Sequence, residues 1–510
     1  MTLFLLAFLI PFPLQAEAVC NLYVAIYGND NNPGTLVAPW RTIQKAANTA
    51  TAGQTVCVRG GVYQEIVTFN ISGSAAAGFI TFKNYPHETA ILDGTNLPVP
   101  AGLAPMINIT NRAYITIQGF EIRNYKSSFQ NHAPIGILVS GYGDHIQLRN
   151  NLIHNIETNY PGTVGGDAHG IAIYGTVQPN AKPNAITNVV ISGNQLYNLK
   201  TGSSESLVVN GNVDGFQITN NIVHDNNNIG IDIIGFENTN NFPLFPDYDQ
   251  ARNGLVNGNL VYNIDSYGNP AYGTERSAAG IYVDGGRDTI IERNIIHHAN
   301  VGVELASEHH GRTTSNVTLR NNFIYSNTQV GIGFGGADKG ENGGTVGCVI
   351  VNNTLYNNVT HTKPTPGGDW GAELYIQSNA NKNFVENNII FANVSRLFVA
   401  NWDPVTSGSN VVDHNLYFAL GGGSSNGSWI WRTVEYPTFD AYSKASGNDG
   451  HSLVDQDPKL VSIKTPNLHI QTTSPAIDRG LYLPEAGSLD IDLQARIQGA
   501  GIDLGADEVR

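Results

Sequence analysis

The chain has 510 residues, 41% of them hydrophobic and only 14% charged, with a formal net charge of −15. This balance excludes a disordered chain, which would hold too little apolar surface to fold. It also argues against binding nucleic acid or an anionic membrane through bulk charge, so that a polyanionic partner would need local arginines or a bound cation.

Residues 1–18, MTLFLLAFLIPFPLQAEA, are too short an apolar run to span a bilayer, and they end on the small residues Ala16 and Ala18. They read as a signal peptide cleaved near Val19, which makes the mature protein secreted or extracellular and free of membrane insertion. Cys20 and Cys57 fall on two early strands and could pair, whereas Cys348, alternating with Val and Ile in VGCVIVNN, is expected to be buried and free. The stretch Trp40–Ala50 has the one convincing helical pattern and is placed as a cap over the first coil, since a solenoid end must be covered. Residues 19–75 are therefore assigned to the N-terminal cap and first coils, 76–420 to the repeat, and 421–510 to the last coils and a closing segment.

The repeat reads G-I-x-V-x, a variable turn, then x-I-x-x-N-x-I-x-x-N, as in GIYVDGGRDTIIERNIIHHAN. Its asparagine recurs at Asn151, Asn194, Asn221, Asn259, Asn294, Asn322, Asn353, Asn388 and Asn415. Asparagine tolerates the left-handed conformation of a sharp corner, and its side chain can bond to its stacked copies. The short alternating strands leave no room for crossover helices. They predict an all-β fold, a right-handed parallel β-helix of single-stranded coils spaced about 4.8 Å apart.

Aligning coils on the glycine that opens the first strand (Gly136, Gly170, Ser206, Gly230, Gly280, Gly302, Gly331, Gly371) turns the third and fifth residues outward. The outward rows hold Tyr174, Asn210, Asp232, Tyr282, Asp284, Glu304, Glu373 and Tyr375, and no Lys or Arg. Asp284 and Glu304 fall on consecutive coils with a two-residue offset, which places their backbones about 7–8 Å apart. Their carboxyls could then approach to about 5–5.5 Å, the spacing of retaining glycoside hydrolysis. Acids crowded in this way have raised pKa values, so Glu304, near Asp284 and Glu308, suits a proton donor. Asp232, two coils before Glu304, is the alternative nucleophile or base for an inverting geometry. Tyr282 and Tyr174 are candidates to stack on a sugar; Asn210, Glu308, His309, Glu373 and Arg276 complete the candidate binding set. His297, His298, His309 and His310 lack zinc spacing and read as turn residues. No metal or cofactor is assigned, apart from a structural calcium considered at Asp247 and Asp249, where a polar loop is the simpler reading. The insertion between Gly235 and Gly280 is expected to wall one end of the groove.

The opening block from Tyr23, through WRTIQKAANTA, to Glu65 and the closing SPAIDRG and DIDLQARIQGAGIDLGADE resemble the corresponding segments of extracellular right-handed β-helix proteins of the pectate-lyase-like type, several of them carbohydrate-active. GIYVDGG followed by VGVELASEHHG resembles the catalytic coils of the glycoside hydrolase family 120 β-xylosidases. That resemblance implies Asp284 as nucleophile and Glu304 as acid/base. Gly285 and Gly286 depart from the aromatic residue of that family, and Ser307 and Glu308 intervene before the His-Gly pair. A glycoside hydrolase acting on a neutral glycan is therefore expected, ahead of a polysaccharide lyase or uronate epimerase and of a non-catalytic glycan binder.

Overall fold

A computed structural model describes residues 19–176, 184–239, 248–361, 371–403, 408–423 and 427–510, leaving the expected leader and Asp247 outside. Among these residues the strands form three stacks of 16, 13 and 13. Successive coils pair in parallel through nearly the whole length, giving the β-helix predicted from the sequence. No described helix is long and apolar enough to cross a membrane.

Strands of the site-bearing sheet are β1 (His132–Gly141), β2 (His169–Gly175), β3 (Leu207–Gly211), β4 (Ile231–Ile234), β5 (Ala279–Asp284), β6 (Val301–Ala306), β7 (Val330–Gly335) and β8 (Ala372–Ile376). Their inward residues stack as one column: Ile137, Ile171, Leu207, Ile231, Ile281, Val303, Ile332 and Leu374. All are buried, so each coil's apolar side is removed from water by the coils above and below it.

The asparagine ladder closes as expected. In each coil the ladder side chain accepts from the backbone N–H and the amide of the preceding coil's ladder asparagine, as Asn322 does from Asn294 at 2.8 and 3.0 Å. The same pattern runs from Asn151 to Asn415. One part of the expectation is corrected, because the left-handed residue is the one before the ladder asparagine. It is Asn150, Gly193, Asn220, Gly258, Arg293, Asn321, Asn352, Asn387 or His414, with φ between 52 and 69°. The corner thus divides two tasks between neighbours: one takes the strained backbone conformation and the next supplies the buried hydrogen bonds.

Helix α1 (Ile43–Thr49) covers the first coil with Ile43, Ala46 and Ala47, and the Glu65 carboxylate accepts from its first N–H groups at Ile43 and Gln44. Cys20 and Cys57 form a disulfide with Cα atoms 5.6 Å apart, and Cys348 is buried and free. A second helix, α2 (Phe439–Ser446), was not foreseen; its Phe439 and Tyr442 pack on Trp429 beside the last coils. The closing segment runs back along the side of the solenoid. Asn321, Asn352 and Asn387, left-handed corner residues, donate their amides to the carbonyls of Ala486, Asp503 and Leu481.

Candidate active site

The outward rows of the site sheet follow the predicted register through β7. Ladder partners run Leu138, Ala172, Val208, Asp232, Tyr282, Glu304 and Gly333 in one row, and Asp284 sits opposite Ala306 in the other. The register therefore brings Asp284 and Glu304 onto consecutive coils with the expected two-residue diagonal.

The last coil departs from the prediction. Leu374 pairs with Ile332 and Tyr375 with Gly333, so Tyr375, not Glu373, occupies the outward row. Glu373 is fully buried and its two oxygens accept from Asn358 N and Nδ2 at 2.8 and 2.7 Å. It terminates a second asparagine ladder from Asn327 and does not line the cavity. Arg276 is also displaced from its expected role. Its guanidinium pairs with Asp265 and lies 4.6 Å over the Tyr267 ring, while its neighbours Glu275 and Ser277 turn toward the cleft.

A cavity of about 460 Å³ opens over β5–β8, lined among others by Asn228, Tyr272, Tyr282, Glu304, Glu308 and Tyr375. The loop after Ile264 supplies Tyr272, Glu275 and Ser277, so an inserted segment does wall the cleft. The Pro- and Phe-rich part of the 235–280 insertion lies largely outside the described residues. Asp249, at its far side, accepts from the Thr239 hydroxyl and Asn238 N–H, which makes it a loop-fixing group.

Glu304 stands in the cavity wall, half-buried, and accepts from the Gln377 amide at 3.1 Å. Burial pushes its carboxyl up to about 7; the Gln377 bond pulls it back and the charge of Glu308 pushes it further up. Asp284 is 4% exposed and its Oδ1 accepts from Glu308 N–H at 2.7 Å. Burial and the Glu308 charge raise it well above the carboxylate range, while that N–H and the charge of His309 favour its ionised form. His309 donates or accepts through Nε2 with Glu237 at 2.9 Å, and this bond raises its proton affinity.

Beside Tyr282 in the outward row, Asp232 is 2% exposed and its Oδ1 has no hydrogen-bond partner. Burial, followed by the charges of Glu205 and Asp284, raises it well above the ordinary carboxylate value. Tyr174 is half-buried, its hydroxyl meets His169 Nε2 at 3.0 Å, and His169 Nδ1 lies 3.1 Å from the Glu205 carbonyl. Asn210, one coil before Asp232, is 5% exposed with its Oδ1 unpartnered.

The structure thus adds Glu205, Glu237 and Gln377 to this neighbourhood, none of them foreseen. Glu205 and Gln377 flank site strands, so a rule reading only the strand interiors passes over them. Glu237, Asp284 and His309 place one ligand atom each within 4.8 Å of one another, an arrangement able to hold a divalent cation. Two further such groups among the described residues, Asp413–His414–His451 and His469–Asp492–Asp507, lie in the last coils and the closing segment. His297 belongs to a column of stacked rings, between Tyr262 and Tyr325, on another sheet.

Residues 22–216 match the family described as Pel9A-like, right-handed β-helix region, and residues 256–439 match the right-handed β-helix region. The chain is 38% identical over 455 residues to the uncharacterized protein YwoF of Bacillus subtilis (strain 168), covering 89% of this chain and 92% of that protein. It is 30% identical over 162 residues to the pectate lyase PEL9 of Emericella nidulans, covering 31% of this chain and 39% of that protein. Among solved structures, XylC in complex with xylose superposes with a TM-score of 0.51 at 14% identity, over 95% of this chain and 98% of that one. At that identity the likeness concerns the fold.

Proposed function

Because the chain belongs to the YwoF family of right-handed β-helix proteins, we propose that it is a secreted glycoside hydrolase of retaining mechanism, with Glu304 as acid/base and Asp284 as nucleophile. The carrying observation is Glu304 itself, a carboxyl in the cavity wall held near pH 7, one coil from an aspartate that receives a backbone N–H. A general acid works best with a pKa near the operating pH.

In the first step an Asp284 oxygen bonds to the anomeric carbon while the glycosidic C–O bond breaks, and the Glu304 proton passes to the leaving oxygen. In the second, Glu304, now ionised, takes a proton from water as the water oxygen replaces Asp284 at the anomeric carbon. Ionisation of Asp284 is favoured over that of Asp232 because the Glu308 N–H and the His309 charge both face it. Tyr282 and Tyr375, both in the wall, offer ring faces to the sugar.

A second reading is a polysaccharide lyase. It draws on the 30% identity to pectate lyase PEL9 and on the Glu237–Asp284–His309 group, which would hold the cation that neutralises a uronate carboxylate. Against it, no Lys or Arg lines the cavity among the described residues, so a basic residue to remove the sugar proton is lacking there. A panel of chromogenic glycosides and polyuronates, run on wild type, Asp284→Asn and Glu304→Gln, separates the two. Glycoside turnover lost in both variants supports the hydrolase. Full turnover in either overturns the assignment, and an ultraviolet-absorbing unsaturated product abolished by chelator establishes the lyase.

A further inference from the structure

The far end of the solenoid carries a donor cluster that the cleft does not use. Asp413, His414 and His451 place one ligand atom each within 4.8 Å of one another. The corner register puts them there. His414 is the left-handed residue before ladder Asn415, and Asn415 N–H donates to Ser452 Oγ at 2.9 Å. Ser452 thus continues the ladder, and His451 holds the same corner place one coil on. The two imidazoles stack, with centroids 4.8 Å apart and planes within 7°. In the three preceding coils this corner holds Asn321, Asn352 and Asn387, whose amides go to the closing segment. The two histidines make no such bond among the described residues.

Asp413 is held in place as a ligand. Its Oδ1 accepts the His414 and His451 N–H groups at 2.9 and 2.8 Å, and its Oδ2 lies 2.7 Å from His451 Nδ1 and 4.0 Å from His414 Nε2. A second carboxyl stands beside it. Glu386 is the ladder partner of Asp413 one coil earlier, so both side chains leave the sheet on the same face. Glu386 is 9% exposed, and among the described residues its carboxyl makes no hydrogen bond and no ion pair. A buried carboxyl without a donor is costly, and a cation relieves it. Two imidazoles with two carboxylates suit zinc, whereas calcium and magnesium take oxygen ligands.

We propose that Asp413, His414 and His451, with Glu386 as fourth ligand, form a zinc site that ties the last coils together. Ligand atoms of a tetrahedral zinc stand about 3.3 Å apart. The 2.7 Å separation between His451 and Asp413 therefore widens and the 4.0 Å separation between His414 and Asp413 closes, each by less than about 1 Å. The His451 side chain is 71% exposed and has room to tilt. The ion replaces the hydrogen bond between His451 Nδ1 and Asp413 Oδ2, with His451 then carrying its proton on Nε2. Because the site forms only when the two corners meet, zinc binding stabilises the last coils. It stands apart from the cleft and holds whichever reaction the cleft performs.

The test is calorimetric titration of the chelator-treated full chain with zinc, calcium and magnesium chlorides, wild type beside His451→Ala and Glu386→Gln, with hydrogen exchange read on the same samples. In wild type the tightest event should be one zinc ion per chain, about a hundredfold or more tighter than calcium or magnesium. His451→Ala should weaken that event about tenfold or more and Glu386→Gln about threefold or more. Zinc should slow exchange at the residue 451 and Leu453 N–H groups in wild type and not in His451→Ala. The exposure of His451 makes its removal harmless to the fold, so the comparison can be read. A tightest zinc event unchanged in His451→Ala would move the ion to Glu237–Asp284–His309 or His469–Asp492–Asp507 and overturn the proposal. So would calcium binding as tightly as zinc, or wild type that takes up no zinc. Unchanged affinity in Glu386→Gln would overturn the fourth ligand.

Discussion

Replacing Asn294 by alanine tests the division of labour at the corners. The Asn294 amide donates to Val256 O and Asn322 Oδ1, both at 3.0 Å, and its Oδ1 accepts from Asn259 N and Nδ2, both at 2.9 Å. Alanine removes all four bonds and leaves the Asn259 backbone N–H buried without an acceptor. An unsatisfied buried group costs about 1–3 kcal/mol and each of the three further lost neutral bonds about 1 kcal/mol, so the expected loss is roughly 4–6 kcal/mol. The comparison is Asn220→Gly at the left-handed position, where φ is 55° and the neighbouring coils already carry Gly193 and Gly258. That side chain is exposed, so the change should fall within about 1 kcal/mol of wild type. Urea denaturation gives the two midpoints, and hydrogen exchange at the Asn259 amide locates the defect, because a solenoid need not unfold in one step. A loss below about 1 kcal/mol for Asn294→Ala, or a larger loss for Asn220→Gly, would refute the reasoning.

Stability should also depend on pH with an unusual sign. Burial raises Glu373 and Glu205 to about 8 and Glu304 and Asp449 to about 7. The folded state keeps protons that the unfolded chain sheds above about pH 4, so stability falls as pH rises from about 4 to 8. Glu373 alone contributes on the order of 5 kcal/mol to that fall, at about 1.4 kcal/mol per tenfold change in proton affinity. His169 and His297, lowered to about 4 by burial, act oppositely between about pH 4 and 6.5 but are fewer. Calorimetry should therefore give a higher Tm at pH 5 than at pH 8, and an equal or reversed order would refute the assignment. If Glu304 donates the proton, kcat/KM should decline above about pH 7, with the alkaline limb absent from the residual rate of Glu304→Gln. Reduction of Cys20–Cys57, which closes a separation of 37 residues, should cost about 2–4 kcal/mol and speed exchange in the first coils before the central ones.

What could be read from the sequence follows from where each feature gets its energy. The ladder asparagines were legible because a solenoid repeats one corner, and each copy must satisfy the same buried N–H. The left-handed residue was misplaced by one because its identity varies among Asn, Gly, Arg and His, so it leaves no constant letter. The outward rows were legible as far as glycine marked the start of each strand. They failed at β8, where Gly371 has φ 145° and precedes the strand by a different phase. There an acid in an apparently outward slot turned inward to terminate a second ladder, whose bonds to Asn358 no strand-period rule contains.

The same reasoning bears on the cleft. Periodicity places a side chain on a face, and that sufficed for Asp232, Tyr282, Asp284 and Glu304. It says nothing of residues flanking a strand, and these carry the electrostatics: Glu205 two residues before β3, Gln377 immediately after β8, Glu308 just beyond β6 and Glu237 just beyond β4. Glu308 joins both kinds of information, because its N–H fixes Asp284 while its carboxylate raises Asp284 and Glu304. Glu308→Gln should keep the N–H and remove the charge, and thereby lower the proton affinity of Glu304. The alkaline limb of the activity profile should then move to lower pH, with the limb read from kcat/KM against pH. An unmoved limb would mean that burial alone sets Glu304, and that the crowd of acids serves binding and not the proton transfer.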